Sequence, residues 1–196
     1  VFNGEIFNAR ELRKELESDN NSFLTDHSDT EVLFRLLQRD GINALARLNG
    51  MFSFVFYDRP SRKLLCARDR FGIKPLYYTS QKGRFAFASE LKSLLILPFV
   101  ECNIHRQSLY DYLSLLYVPG EQAIFDGVKK IPPGCYLQYD LDSKSHILER
   151  WWNLKFEPDE KVPAREWPSL IRSALGDAVR RWSISDVPIA ASLSGG

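Results

Sequence analysis

Cysteine is scarce and follows no pattern. Cys66, Cys102 and Cys135 are the three in 196 residues, odd in number, widely spaced and without a CxxC pair. That excludes a disulfide framework and a zinc ribbon, and it makes a reducing, cytoplasmic compartment the expectation. Histidine is equally thin. His27, His105 and His146 are scattered, none at ligand spacing from another His, a Cys or a carboxylate cluster, so neither a metal site nor a histidine base is expected. Excess charge is missing as well: 26 Lys and Arg against 25 Asp and Glu leave a net charge of +1. Such a balance offers no electrostatic footprint for a nucleic-acid duplex or an anionic membrane. No apolar run approaches the roughly 18 residues of a membrane span. Internal repeats and low-complexity tracts are lacking, and no signal peptide is seen, which constrains targeting only weakly in a chain expected to lack its true N-terminus. The first residue is Val1 rather than Met, and the last three are Ser194-Gly195-Gly196, a bare glycine turn. The expectation is a fragment of a longer chain, cut at both ends.

Aromatics, by contrast, are plentiful. Thirteen Phe, eight Tyr and four Trp provide core material and argue against disorder. Val1 to Glu5 reads as a strand entering an Asn-Gly turn. Asn8 is placed to cap a helix carrying Leu12 and Leu16, with Glu11 at the capping-box position. A polar loop from Ser18 to Ser28 leads to a second helix, starting near Asp29, burying Val32, Leu33, Leu36 and Leu37, and stopping at Gly41. Met51 to Tyr57 reads as a strand buried on both faces, with Phe52, Phe54 and Phe56 on one and Met51, Val55 and Tyr57 on the other. Leu64 to Ala67 returns beside it after a turn at Asp58–Ser61. A hairpin pairs Pro75–Thr79 with Phe85–Ala88, and Ser89 caps a short helix through Leu95. A helix over Gln107–Tyr117 ends at Pro119-Gly120. Two strands follow, Tyr136–Tyr139 and Ile147–Trp152. Asn153 to Ala164 reads as a linker. Beyond it lie an amphipathic helix with Trp167, Leu170, Ile171, Leu175 and Val179 in one stripe, and a short apolar strand, Val187–Leu193.

Four clusters could carry chemistry. Ser194-Gly195-Gly196 follows an apolar strand, where backbone N–H groups can face a phosphate; a flexible loop is the plainer alternative. In Asn3-Gly4-Glu5, a side-chain amide beside a glycine N–H could form an oxyanion hole, or simply a β-turn. Asp29 sits at a helix start, where a carboxylate caps the helix, binds a substrate ammonium, or does both. The run Asp69 to Pro75 reads as a structural corner, with Asp69 paired to Arg70 and Gly72 at positive φ. Neither a nucleophile nor a general base emerges, because the cysteines sit in apolar surroundings where a thiol packs as a small hydrophobe.

Together these segments resemble the glutamine-hydrolysing asparagine synthetases. The resemblance is carried in order by Asn3-Gly4-Glu5-Ile6-Phe7-Asn8, His27-Ser28-Asp29-Thr30-Glu31-Val32, Leu48 to Phe54, Ala67 to Tyr78, Phe87 to Lys92, Val118-Pro119-Gly120 and Ile131 to Gly134. It ends with Ser185-Asp186-Val187-Pro188 running into Leu193-Ser194-Gly195-Gly196. Each piece is weak alone, but the ordered series is specific. The resemblance implies an α+β fold: an incomplete four-layer αββα glutaminase of the N-terminal-nucleophile type over residues 1–155. The first helix and strand of an α/β ATP-pyrophosphatase domain would follow over 164–196.

The resemblance also implies a chemistry. An N-terminal Cys, outside these residues, attacks the glutamine amide with its own α-amine as base. Asn3 and Gly4 form the oxyanion hole; Asn3, Gly4, Glu5 and Asp29 hold glutamine, with Asp29 on its ammonium. Ammonia then passes to an aspartate activated by ATP, giving asparagine, AMP and pyrophosphate. Leu193, Ser194 and Gly195 would touch ATP, with Mg2+ as its counter-ion. Partners are therefore small molecules (glutamine, aspartate, ATP) and at most a second copy of the chain. Phe7 departs from the family's usual Tyr, and the arginine that holds the glutamine carboxylate is absent. Two other readings stand beside this one: a sibling amidotransferase with a different acceptor, and a non-catalytic binding protein that keeps the fold.

Overall fold

The computed structural model describes residues 1–19, 22–158, 161–185 and 187–193. The chain divides into one unit of Val1–Asn153 and another of Leu154–Gly196.

The first unit is built on two antiparallel sheets. The larger contains β1 (Phe2–Ile6), β2 (Gly50–Asp58), β3 (Lys63–Arg68), β7 (Cys135–Asp140) and β8 (Ser145–Arg150), in the order β1-β2-β3-β7-β8. The smaller joins β4 (Tyr77–Gln81) to β5 (Arg84–Ala88) on one side and to the two-residue β6 (Lys129–Lys130) on the other. Pairing of Gln81 with Arg84 leaves Lys82-Gly83 as a two-residue turn with both φ angles positive, the geometry that suits the right-handed twist of a hairpin.

Helices α1 (Ala9–Ser18) and α2 (Asp29–Asp40) cover one face of the larger sheet. Leu12 and Leu16 of α1 and Val32, Leu33, Leu36 and Leu37 of α2 meet Phe52, Phe54 and Leu65 there. Each fully buried Leu contributes about 1.5–3 kcal/mol. Arg39 and Arg47 bridge Glu15, Asp19 and Asp40, which ties α1 and α2 to the 3-10 segment Gly41–Arg47. The opposite face packs Val55, Cys66, Leu137 and Tyr139 against Tyr78 of the smaller sheet and against Leu76 and Ile131, which flank its strands. Beyond that sheet, Leu94 of α3 (Leu91–Leu95) closes a further cluster with Val100, Ala123 and Val128. The succession is therefore helices, sheet, sheet, helix, and the α+β class holds.

Several local expectations are corrected. Asn8 precedes α1 but makes no capping bond; its amide donates to Arg47 C=O at 3.0 Å and its Oδ1 accepts from Asn49 N–H at 2.9 Å, pinning the entry to β2. Ser28, not Asp29, caps α2, accepting from Glu31 N–H. Glu90 rather than Ser89 precedes α3. Tyr57 is 45% exposed rather than buried. Helix α4 (Arg106–Leu115) is capped by His105, and its Leu109, Tyr112 and Leu113 are exposed.

In the second unit, α5 (Trp167–Trp182) forms as expected, with none of its residues buried. The strand expected over Val187–Leu193 is not formed. A strand needs a partner for its backbone hydrogen bonds, and no strand is present in the described part of this unit. Ser194, Gly195 and Gly196 lie outside the described residues, as does Asp186.

Candidate active site

Strand β1 is an edge strand, and its register decides which groups it offers. Val1 and Val55 exchange both backbone hydrogen bonds at 2.9 Å, and Phe7 N–H donates to Asn49 C=O at 2.8 Å. In an antiparallel ladder that alternation commits the N–H groups of Val1, Asn3, Glu5 and Phe7 to β2 and turns those of Phe2, Gly4 and Ile6 outward, to the open edge. Asp29 Oδ2 meets the Ile6 N–H there at 3.1 Å. Gly4 N–H faces the same edge, about 7 Å away along the strand. One edge thus carries a backbone donor and a carboxylate.

Only glycine fits at position 4. Its φ is +149°, and a Cβ would stand 2.0 Å from Met51 O and 2.7 Å from the Phe52 Cα. The close approach to β2 is what the missing side chain permits. Asn3 projects from the face opposite Phe2 and Ile6, and its amide donates to the Ser89 hydroxyl at 3.4 Å. With Val1, Ser53, Leu76, Phe87 and Ser89 it lines a cavity of about 190 Å³. Glu5 shares the Asn3 face and is half-buried.

Asp29 is half-buried in the first turn of α2, where the positive end of the helix dipole favours a carboxylate. The loop leading into it is held by Glu31, whose carboxylate accepts from Leu24 N–H, Thr25 N–H and the Thr25 hydroxyl at 2.7, 2.8 and 2.6 Å. Those bonds, the Thr25 hydroxyl foremost, draw the Glu31 carboxyl down to about 2.

The corner at Asp69 supports the site from behind. Asp69 is 1% exposed. It accepts from four backbone N–H groups: Phe71 and Ile73 on Oδ1, Phe52 and Lys74 on Oδ2, all at 3.0–3.2 Å. The corner is structural as expected, with Gly72 at φ +68°, but the expected Asp69–Arg70 pair is replaced by this backbone cage. Arg70 reaches the Ala46 carbonyl instead. Phe52, held by Asp69, is the residue opposite Gly4 in the register.

The structure brings Asn3, Gly4 and Asp29 to one end of the larger sheet, with Glu5 beside them. Leu193, assigned to ATP by resemblance, is 97% exposed in the second unit, and Ser194 and Gly195 lie outside the described residues. Ser89 and Asp69 are the contributors that sequence reasoning missed as neighbours of the site. Ser89 was legible only as a helix cap, and the cage around Asp69 depends on backbone geometry.

A family model for the glutamine amidotransferase domain matches residues 1–152. The chain belongs to that family. Over its full length it is 38% identical to asparagine synthetase [glutamine-hydrolyzing] 1 of Bacillus subtilis (strain 168), covering 30% of that protein. It is 32% identical over its full length to amidase chry2 of Gibberella zeae, covering 29% of that one. The chain therefore spans about a third of the length of these curated relatives. Among solved structures, glutamine phosphoribosylpyrophosphate amidotransferase from B. subtilis superposes with a TM-score of 0.52 at 22% identity, over 78% of this chain and 28% of that one. At that identity the likeness establishes the fold of this amidotransferase class, and the sheet-rich α+β architecture agrees with it.

Among the described residues no group of three or more His, Cys, Asp and Glu is arranged to hold a metal. No helix there is long and apolar enough to cross a membrane.

Proposed function

We propose that residues 1–155 form the glutaminase half of a glutamine-hydrolysing asparagine synthetase, and that residues 164–196 begin its ATP-using half. The observation that carries the reading is the open edge of β1, where the outward N–H groups of Gly4 and Ile6 lie about 7 Å apart along the strand, with the Asp29 carboxylate on Ile6 and the Asn3 amide beside Gly4. That separation suits an α-amino acid amide, its ammonium on Asp29 and its amide oxygen at Gly4.

In this reading a thiolate attacks the glutamine amide carbon, and the C=O π electrons move onto oxygen. Gly4 N–H and the Asn3 amide stabilise that oxyanion. The C–N bond then breaks, ammonia leaves with the proton taken from the thiol, and water hydrolyses the thioester to glutamate. Asp29 keeps Oδ2 on Ile6 and offers Oδ1, which also meets the Thr30 hydroxyl at 3.4 Å, to the substrate ammonium, with Glu5 lining the same pocket. The nucleophile is the N-terminal cysteine of the intact protein, with its own α-amine as base. Two of the three internal cysteines support this assignment by their burial, and the third, exposed Cys102, does not line the cavity beside Asn3. Cys66 is fully buried and its thiol is pushed up to about 12, while burial also raises Cys135. Cys102 lies in the segment after α3, against the Leu95 and Val100 carbonyls.

Aspartate, ATP and Mg2+ enter through the second half. There Leu193, Ser194 and Gly195 would touch the nucleotide, and Mg2+ would neutralise its phosphates. A second reading, a sibling amidotransferase with another acceptor, is favoured by the full-length match to a relative named as an amidase. The non-catalytic reading loses one argument against it, since Gly4 and Asp29 also serve the fold through Met51 and Ile6.

The deciding experiment gives the intact protein ATP, Mg2+, aspartate and amide-labelled glutamine. Labelled asparagine matched to pyrophosphate supports the proposal. Glutamate without asparagine moves the acceptor to the sibling reading, and no turnover favours the non-catalytic one. Asp29→Asn retains an acceptor for Ile6 but loses the charge. It should raise the glutamine requirement at least about tenfold while leaving free ammonia usable. Equal failure with both nitrogen sources would make Asp29 purely structural.

A further inference from the structure

A second cavity, of about 640 Å³, lies on the other side of the Asp69 corner and shares no lining residue with the open edge of β1. Its charged lining consists of Arg68 and Lys130, and its aromatic lining includes Phe71, Tyr77, Tyr112 and Tyr117. No Asp or Glu lines it among the described residues. Two carboxylates adjacent in sequence to lining residues, Asp69 and Glu121, are engaged elsewhere. Asp69 is filled by four backbone N–H groups, and Glu121 takes the Tyr78 hydroxyl at 2.6 Å and Lys129 at 3.0 Å.

The two cations are built in, not adrift. Arg68 donates Nε to Lys74 C=O at 2.7 Å, Nη1 to Ile131 C=O at 2.8 Å and Nη2 to Gly72 C=O at 2.6 Å. Lys130 Nζ donates to the Val118 carbonyl. A guanidinium has five N–H donors and an ammonium three, so each group retains two after these bonds. Carbonyls orient both charges without neutralising them; the neighbouring Asp69 charge acts on Arg68, and no carboxylate pairs with Lys130 among the described residues. Burial, and after it the Arg68 charge, holds the Lys130 ammonium below the ordinary lysine range, as expected of a cation without a counter-charge. Two partly buried like charges side by side are costly unless an anion joins them. The surrounding tyrosines and Phe71 offer flat apolar faces, the usual company of a few fixed polar groups in a small-molecule pocket.

We propose that this cavity binds a small organic anion with a flat apolar body, its carboxylate or phosphate seated between Lys130 and Arg68 and its body against Tyr77, Tyr112 and Tyr117. The site is independent of the glutaminase reading and would stand if that reading fell.

Calorimetric titration of the chain with benzoate, phenyl phosphate and neutral benzamide tests it. The expected result is binding of benzoate or phenyl phosphate at least about tenfold tighter than benzamide. Which anion binds better identifies the head group. Lys130→Gln should weaken the anion at least about tenfold, and Lys130→Arg should retain most of the affinity. Equal affinity for benzamide, no binding of either anion at millimolar concentration, or an unaffected Lys130→Gln would each overturn the proposal. If Lys130→Gln fails to fold, the comparison of benzoate with benzamide on the unaltered protein still decides.

Discussion

Replacing Asp69 with Ala should destabilise the first unit by about 3–5 kcal/mol, a size reserved for the loss of a buried network. The figure follows from what each orphaned donor meets. Phe52 is 1% exposed, so its N–H would lose its Oδ2 acceptor with no water to replace it, about 2–3 kcal/mol. Lys74 is half-buried, and its N–H adds about 1 kcal/mol. Phe71 and Ile73 are 66% and 44% exposed, so their N–H groups regain water and add a few tenths each, roughly, by the same reasoning. Urea unfolding at neutral pH, followed by tryptophan fluorescence, measures the sum, and an unchanged m-value shows that the denatured state is not the cause. Asp69→Asn should fall between Ala and the unaltered protein, because an amide oxygen can accept from only part of the cage while its NH2 faces further donors. A loss under about 1 kcal/mol for Asp69→Ala would refute the claim that this carboxylate holds the corner. Because Phe52 lies opposite Gly4, the same variant should also loosen β1, seen as faster amide exchange at residues 3–5.

Gly4→Ala should disrupt the β1–β2 pairing, since its methyl would stand 2.0 Å from Met51 O; a variant with unchanged thermal stability would show that the strands simply separate there. Acid should release the loop before α2. The Glu31 carboxyl lies far below its ordinary value, so its contribution is complete above about 4.5, fades as pH falls and is gone below about 2. Exchange protection at Leu24 and Thr25 should follow that window and be lost at neutral pH in Glu31→Gln; protection unchanged down to pH 2 would refute the assignment. Cys102 is exposed and should react with a thiol reagent at pH 8 in the folded chain, while the buried Cys66 and Cys135 react only on unfolding. Rapid labelling of all three would mean that the sheet interface is open.

The sequence by itself determined the elements whose physics is local. Helix α2 was legible from Val32, Leu33, Leu36 and Leu37 on one face and Gly41 at its end, because a 3.6-residue period and a left-handed stop need no distant partner. The β4–β5 hairpin was legible from Lys82-Gly83 for the same reason. Asn3, Gly4 and Asp29 were singled out as candidates from the family-like motifs they stand in. Tertiary structure decided how they work together. The outward aim of the Gly4 N–H depends on a register set by Val1 and Val55, which are 54 positions apart. The placement of β7 between β3 and β8, and of β6 on β4, joins segments whose pairing no local pattern encodes. Asp69 was readable as a corner, but its four donors come from two segments that meet only when the sheet closes. Hydrophobic periodicity is written along the chain, whereas hydrogen-bond partners across a sheet are settled by packing. The α+β class of the first unit came from the family resemblance, while the shared edge of Gly4 and Asp29 emerged only in three dimensions.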